Sequence, residues 1–175
     1  ADTLSLDLTS KELVADQVTV TVAFDSKSLE DPQSTYTGAL CIDRYGKPAP
    51  SHAHGSFNLA VPTASVREIT HAALSIFDAR VDPAFYARHL WVAASHVLPA
   101  AAFFGSQSDC YQLELFEDEG AREARMLRQA REQRLQRAVL SIKGRYGKNA
   151  ILRGINFRPG ATAIERNRQI GGHRA

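Results

Sequence analysis

His52 and His54 stand two apart in the segment HAHGSFNLA, residues 52–60, so on an extended chain their rings share one face. Two imidazoles on one face can hold a metal ion when two further ligands converge with them, and no motif in the chain places those ligands. On a wet sheet face the same pair can instead donate hydrogen bonds to a phosphate backbone. Asp78 and Asp82, four apart near a predicted helix end, read as a cap or a surface charge rather than an acid–base pair. Asp43 closes a predicted strand with no partner carboxylate in its motif. The chain has neither a glycine-rich phosphate loop ending in Gly-Lys-Ser/Thr nor a Gly-x-Ser-x-Gly elbow. No set of residues reads as an active site for hydrolysis or nucleotidyl transfer.

A second kind of chemistry lies in Gln112-Leu113-Glu114-Leu115-Phe116. Burying each large apolar side chain gains about 1.5–3 kcal/mol, so an exposed cluster of this kind has to be covered. It packs on its own domain or it anchors a partner's groove.

The elements that must position these residues follow from periodicity. Leu4, Leu8 and Leu13 recur at helical spacing and predict a helix ending near Ala15. It opens without a cap, which points to a chain cut from something longer. Residues 17–24, QVTVTVAF, alternate as a half-buried strand with Val18, Val20, Val22 and Phe24 on one face. Residues 35–43 read as a second strand, Tyr45-Gly46-Lys47-Pro48 as a turn, and residues 52–60 as a third strand closed by Pro62. Thr63 or Ser65 can cap a helix from about Val66 to Ala79, whose apolar stripe is Ile69, Ala73, Ile76 and Phe77. Asp82-Pro83 breaks it, and residues 89–97 form a fourth strand. Helix, three strands, helix, strand is the order of a small α+β domain with its helices on one face. Beyond Pro99 comes a linker. A helical pattern returns from Glu119 to Tyr146, with Leu127, Leu135, Val139 and Ile142 in one stripe and Gly147 as the stop. The last residues hold several glycines and predict an irregular tail.

Composition agrees with a globular chain: 175 residues, 44% hydrophobic and 23% charged, with two cysteines, too few for a disulfide framework. No apolar run approaches the roughly 18 residues of a membrane span, and the first residues lack the features of a signal peptide. These features predict a cytoplasmic protein that meets no membrane. The net charge of +2 is split unevenly. Residues 1–116 carry seven Lys and Arg against 13 Asp and Glu, net −6. Residues 117–175 carry 14 against six, net +8, either a solvated arginine-rich helix face or a surface for nucleic acid or an acidic partner.

Six stretches together carry a family resemblance: DLTSKELVADQVTVTVAFD, DRYGKPAPSHAHGSFNLAVPTASVREI, FDARVDPAFYARHLWVAASHV, QLELF, SIKGRYGKNAILRG and ERNRQIGGHRA. The chain resembles the C-terminal part of a Y-family translesion DNA polymerase of the Gram-positive subgroup. The resemblance implies a little finger domain over residues 1–98. That domain is a four-stranded sheet backed by two helices, here lacking its first strand. A linker (99–118) with the clamp-binding motif, a basic amphipathic helix (119–146) and an irregular basic tail (147–175) follow.

The resemblance also implies partners and sites. The little finger lies along primer–template DNA and grips its backbone without reading sequence. Arg88 and His89 match the basic pair that opens the last strand and faces the phosphates. Arg44, Lys47, His52 and His54 lie on the hairpin, and Thr63 and Ser65 at a helix N-terminus suited to phosphate. Gln112, Leu113, Leu115 and Phe116 match the bacterial sliding-clamp-binding motif: the apolar three fill a cleft on the clamp and Gln112 meets its edge. The family's catalytic carboxylates and Mg2+ ions belong to a palm that no stretch of this chain matches, so the chain alone is expected to hold no cofactor, to be inactive, and to be a monomer. The function implied is the DNA-binding and clamp-tethering portion of an error-prone polymerase in translesion synthesis and DNA repair. The net −6 over residues 1–116 departs from the basic character of a phosphate-gripping surface. Two rival readings are a free-standing adapter that binds clamp and DNA without catalysis, and a small metal-dependent nuclease built on His52 and His54.

Overall fold

The computed structural model describes residues 1–30, 36–43, 45–105, 119–170 and 173–174. They fall into two compact units, Ala1–Leu115 and Phe116–Ala175.

The first unit is built on strand β1 (Leu13–Phe24). Helix α1 (Asp2–Ser10) precedes it and ends earlier than its leucine spacing predicts. Lys11 N–H donates to the carbonyls of Asp7 and Leu8, Glu12 turns the chain at φ 54°, and Leu13 already belongs to the strand. Two long strands flank β1: β4 (Ala53–Thr63) and β5 (Ala87–Pro99). The sheet is three-stranded and antiparallel, in the order β4-β1-β5. Pro62 does not stop β4, because β4 is an edge strand and proline's missing N–H costs no ladder bond there.

The segment 35–43 is expected as a strand of this sheet; its described residues 36–43 contribute to a separate ribbon. Among them only β2 (Leu40–Ile42) is a strand, paired with β3 (Pro48–Pro50), after the single helical turn α2 (Lys27–Glu30). Two prolines in three residues leave β3 short of N–H donors for a ladder.

One face of the three-stranded sheet is covered by α1 and by α3 (Val66–Arg80). Leu8, Ala15, Val18, Ile69 and Ala72 form one buried cluster, and Val20, Val22, Phe24 and Ile76 a second. The alternation of β1 and the 3.6-residue period of α3 meet here. Ser65 is the N-cap of α3, its hydroxyl accepting from Glu68 N–H at 3.3 Å. Ser5 donates to the Ala64 carbonyl at 2.5 Å, tying α1 to the connection ahead of α3. Gly55 allows the close approach of α3: a Cβ there would stand 2.7 Å from Ile76 Cγ2. Where the linker was expected, Ala100–Gly105 forms a short helix, α4.

In the second unit, α5 spans Glu119–Tyr146, the expected range. Gly147 ends it at φ 94°, with its N–H on the Lys143 carbonyl at 2.9 Å, the left-handed stop that glycine provides. The stripe residues Leu127 and Leu135 are exposed. The tail is more regular than its glycines predict. It contains a 3-10 turn (Gly154–Phe157), helix α6 (Ala163–Asn167), and a ribbon of β6 (Gln169–Ile170) with β7 (His173–Arg174). Asn149 holds α6 to the end of α5, donating to the Ile164 carbonyl at 3.3 Å and accepting from Asn167 at 2.8 Å. Among the described residues no helix is long and apolar enough to cross a membrane.

Candidate nucleic-acid interface

The sheet face opposite the helices is open, and its strand register assembles it row by row. Directly opposed residues of antiparallel strands point the same way, so each residue of β1 shares a row with one from each neighbour. Thr21 lies between His54 and Trp91, Thr19 between Ser56 and Ala93, and Gln17 between Asn58 and Ser95. Ala23 pairs with His89 at the end nearest the turn of the ribbon. Two side-chain bonds cross the rows: Gln17 donates to Asn58 at 2.8 Å, and Thr21 Oγ1 lies 2.9 Å from His54 Nδ1. These rows contain hydroxyls, amides, imidazoles and one indole, and no carboxylate.

Trp91 is 53% exposed at the centre of an aromatic group. The His89 ring is 5.6 Å away, and the His52 ring stands edge-on at 6.4 Å. His52, His54 and His89 are all exposed. Among the described residues no group of three or more His, Cys, Asp or Glu is placed to hold a metal ion.

Arg88, the neighbour of His89, is turned to a different task. Its guanidinium meets the Asp43 carboxylate at 3.2 Å and lies 5.0 Å over the Tyr45 ring. Asp43 is the hub of the ribbon's turn. Its Oδ1 accepts from the N–H groups of Tyr45 and Lys47, each at 2.8 Å, and Gly46 completes the turn at φ 77°. The Lys47 N–H holds the Asp43 carboxyl below its ordinary 3.8, against the opposing effect of burial; the Tyr45 N–H and the Arg88 charge add to the lowering.

The structure thus divides the residues expected to meet DNA. His52, His54 and His89 gather on the open side, and Lys47 is exposed on the turn. Arg88 is engaged by Asp43. Thr63 and Ser65 are buried, and their hydroxyls serve the backbone: Thr63 Oγ1 accepts from Ser65 N–H at 3.0 Å, and Ser65 caps α3. Glu68 in the first turn of α3 adds a negative charge where an anion would sit. Arg44 and the motif Gln112, Leu113, Leu115 and Phe116 lie outside the described residues.

Sequence reasoning missed two features. Trp91 was legible as the alternate neighbour of His89 on a strand, since residues two apart share a face. The Asp43–Arg88 pair had no local signal, because its members are 45 residues apart. No protein-family model, curated protein or solved structure matches the chain.

Proposed function

We propose that the chain is the DNA-binding and clamp-tethering portion of an error-prone Y-family DNA polymerase acting in translesion synthesis and DNA repair. The observation that carries the DNA half is the open sheet face, free of carboxylates in its rows and holding three exposed histidines. Hydroxyl, amide and imidazole donors on a rigid sheet suit a phosphate backbone, and such contacts position a duplex without reading it. The rows themselves carry no acidic side chain, while residues 1–116 as a whole are net −6; beside the Gln17 row the partly exposed Asp16 carboxylate of β1 meets His96 Nδ1 of β5 at 2.9 Å.

The clamp half rests on the QLELF motif. Leu113, Leu115 and Phe116 fill an apolar cleft, and Gln112 meets its edge. Tethering raises the effective concentration of the enzyme at the primer end, so a modest anchor suffices. Nucleotidyl transfer, with its Mg2+ ions, belongs to the palm of the parent enzyme.

Calorimetric titration of the chain against a bacterial sliding clamp, with a Leu115→Ala, Phe116→Ala double variant beside it, tests this reading. Micromolar binding that the variant loses is the expected result. A folded chain that leaves the clamp unbound overturns the tether.

A further inference from the structure

We propose that Trp91, with His52 and His89 beside it, is a stacking seat for an unpaired nucleobase, so that the open face takes single-stranded DNA as well as a duplex backbone. The inference rests on the DNA-binding reading of the same face and adds a ligand class to it. The first ground is exposure. Trp91 is 53% exposed on the open face; on the helix-covered face Val18, Val20 and Val22 are buried, while the flanking-strand residues Phe57 and Leu90 at its margins are exposed. An indole standing in water on a polar sheet gains most from a flat, apolar, aromatic partner.

The second ground is what surrounds the indole. His89 is 5.6 Å away with its ring tilted by 39°, and His52 is 6.4 Å away at 75°, so two imidazoles border the ring. Thr21 and His54 continue the row across the sheet. A nucleotide joins an aromatic base to an anionic phosphate. The base matches the indole, and the phosphate matches bordering N–H and O–H donors on rows that carry no carboxylate. Base–aromatic stacking tolerates any base, because every base has a π-face. The site therefore favours unpaired DNA over paired DNA and has little preference for sequence.

Trp91 is the chain's one tryptophan, so its emission reports on this position alone. The full chain is titrated at low salt with end-labelled oligothymidylate and, separately, with a labelled duplex of the same length, following tryptophan emission and label anisotropy together. The proposal expects saturable quenching by the single strand, and little by a duplex that still raises anisotropy. Trp91→Ala then loses about tenfold in single-strand affinity and keeps its duplex affinity, while Trp91→Phe retains most of both. A His89→Ala variant, which keeps the reporter, binds the single strand more weakly with the quench still present at saturation. Single-strand binding without quenching, equal quenching by duplex, or an unchanged affinity in folded Trp91→Ala overturns the stacking seat and leaves the DNA reading standing. Failure of both DNA forms to bind overturns the two together.

Discussion

Arg88 reaches back 45 residues to Asp43 and closes an ion pair of 3.2 Å between the start of strand β5 and the turn of the β2–β3 ribbon. The pair docks a ribbon of only two short strands, which on its own is marginal in water. It also decides what Arg88 can offer a nucleic acid, because a guanidinium held by a carboxylate has to exchange that partner before it meets a phosphate.

Replacing Asp43 with Asn keeps an acceptor for the Tyr45 and Lys47 N–H groups but removes the charge opposite Arg88. Duplex affinity is expected to rise, and the dependence of log K on log salt to steepen by about one, as one further cation becomes available to phosphate. Anisotropy titrations across a salt series check this. An unchanged slope means that Arg88 does not face the DNA in either protein.

The same carboxyl sets a pH dependence. Its folded-state value is held below 3.8, so it contributes stability above that pH and loses the contribution as pH falls through its lowered folded value. Urea unfolding should find the wild type more stable than Asp43→Asn at neutral pH, with the gap closing in acid below the ordinary aspartate value. A gap that stays constant across the series contradicts the assignment.

Gly55 is the contact point for α3, and an added methyl would stand 2.7 Å from Ile76 Cγ2. Gly55→Ala is expected to destabilise the first unit by about 1–3 kcal/mol through overpacking. Combining it with Ile76→Val should recover part of the loss, read as a shift in urea midpoint.

Ser65 separates capping from phosphate binding. Ser65→Ala should cost about 1 kcal/mol of stability, the ordinary cost of losing an N-cap, with DNA affinity unchanged. A large loss of DNA affinity at constant stability would return Ser65 to the DNA-contacting set.

Much of the scaffold was legible before any tertiary contact was known. The alternation of Val18, Val20 and Val22, the period of α3, the Ser65 cap, and the span of α5 with its Gly147 stop all depend on residues within a few positions of one another. Local backbone geometry ties such residues together, so their meaning survives in one dimension. The end of α1 and the fate of residues 35–43 were misjudged because helical spacing and extended character persist where the chain in fact turns. The site was legible in part. His52, His54 and His89 were marked by type and position, and Arg88 by its place beside them. Only the tertiary structure set His54, Thr21 and Trp91 in one row and turned Arg88 to Asp43. Register decides such neighbours, and a slip of one residue sends every side chain to the other face. Strand pairing is a long-range choice made by the buried face as a whole, so the open face receives its neighbours from the packing of Val18, Val20 and Val22 beneath α3.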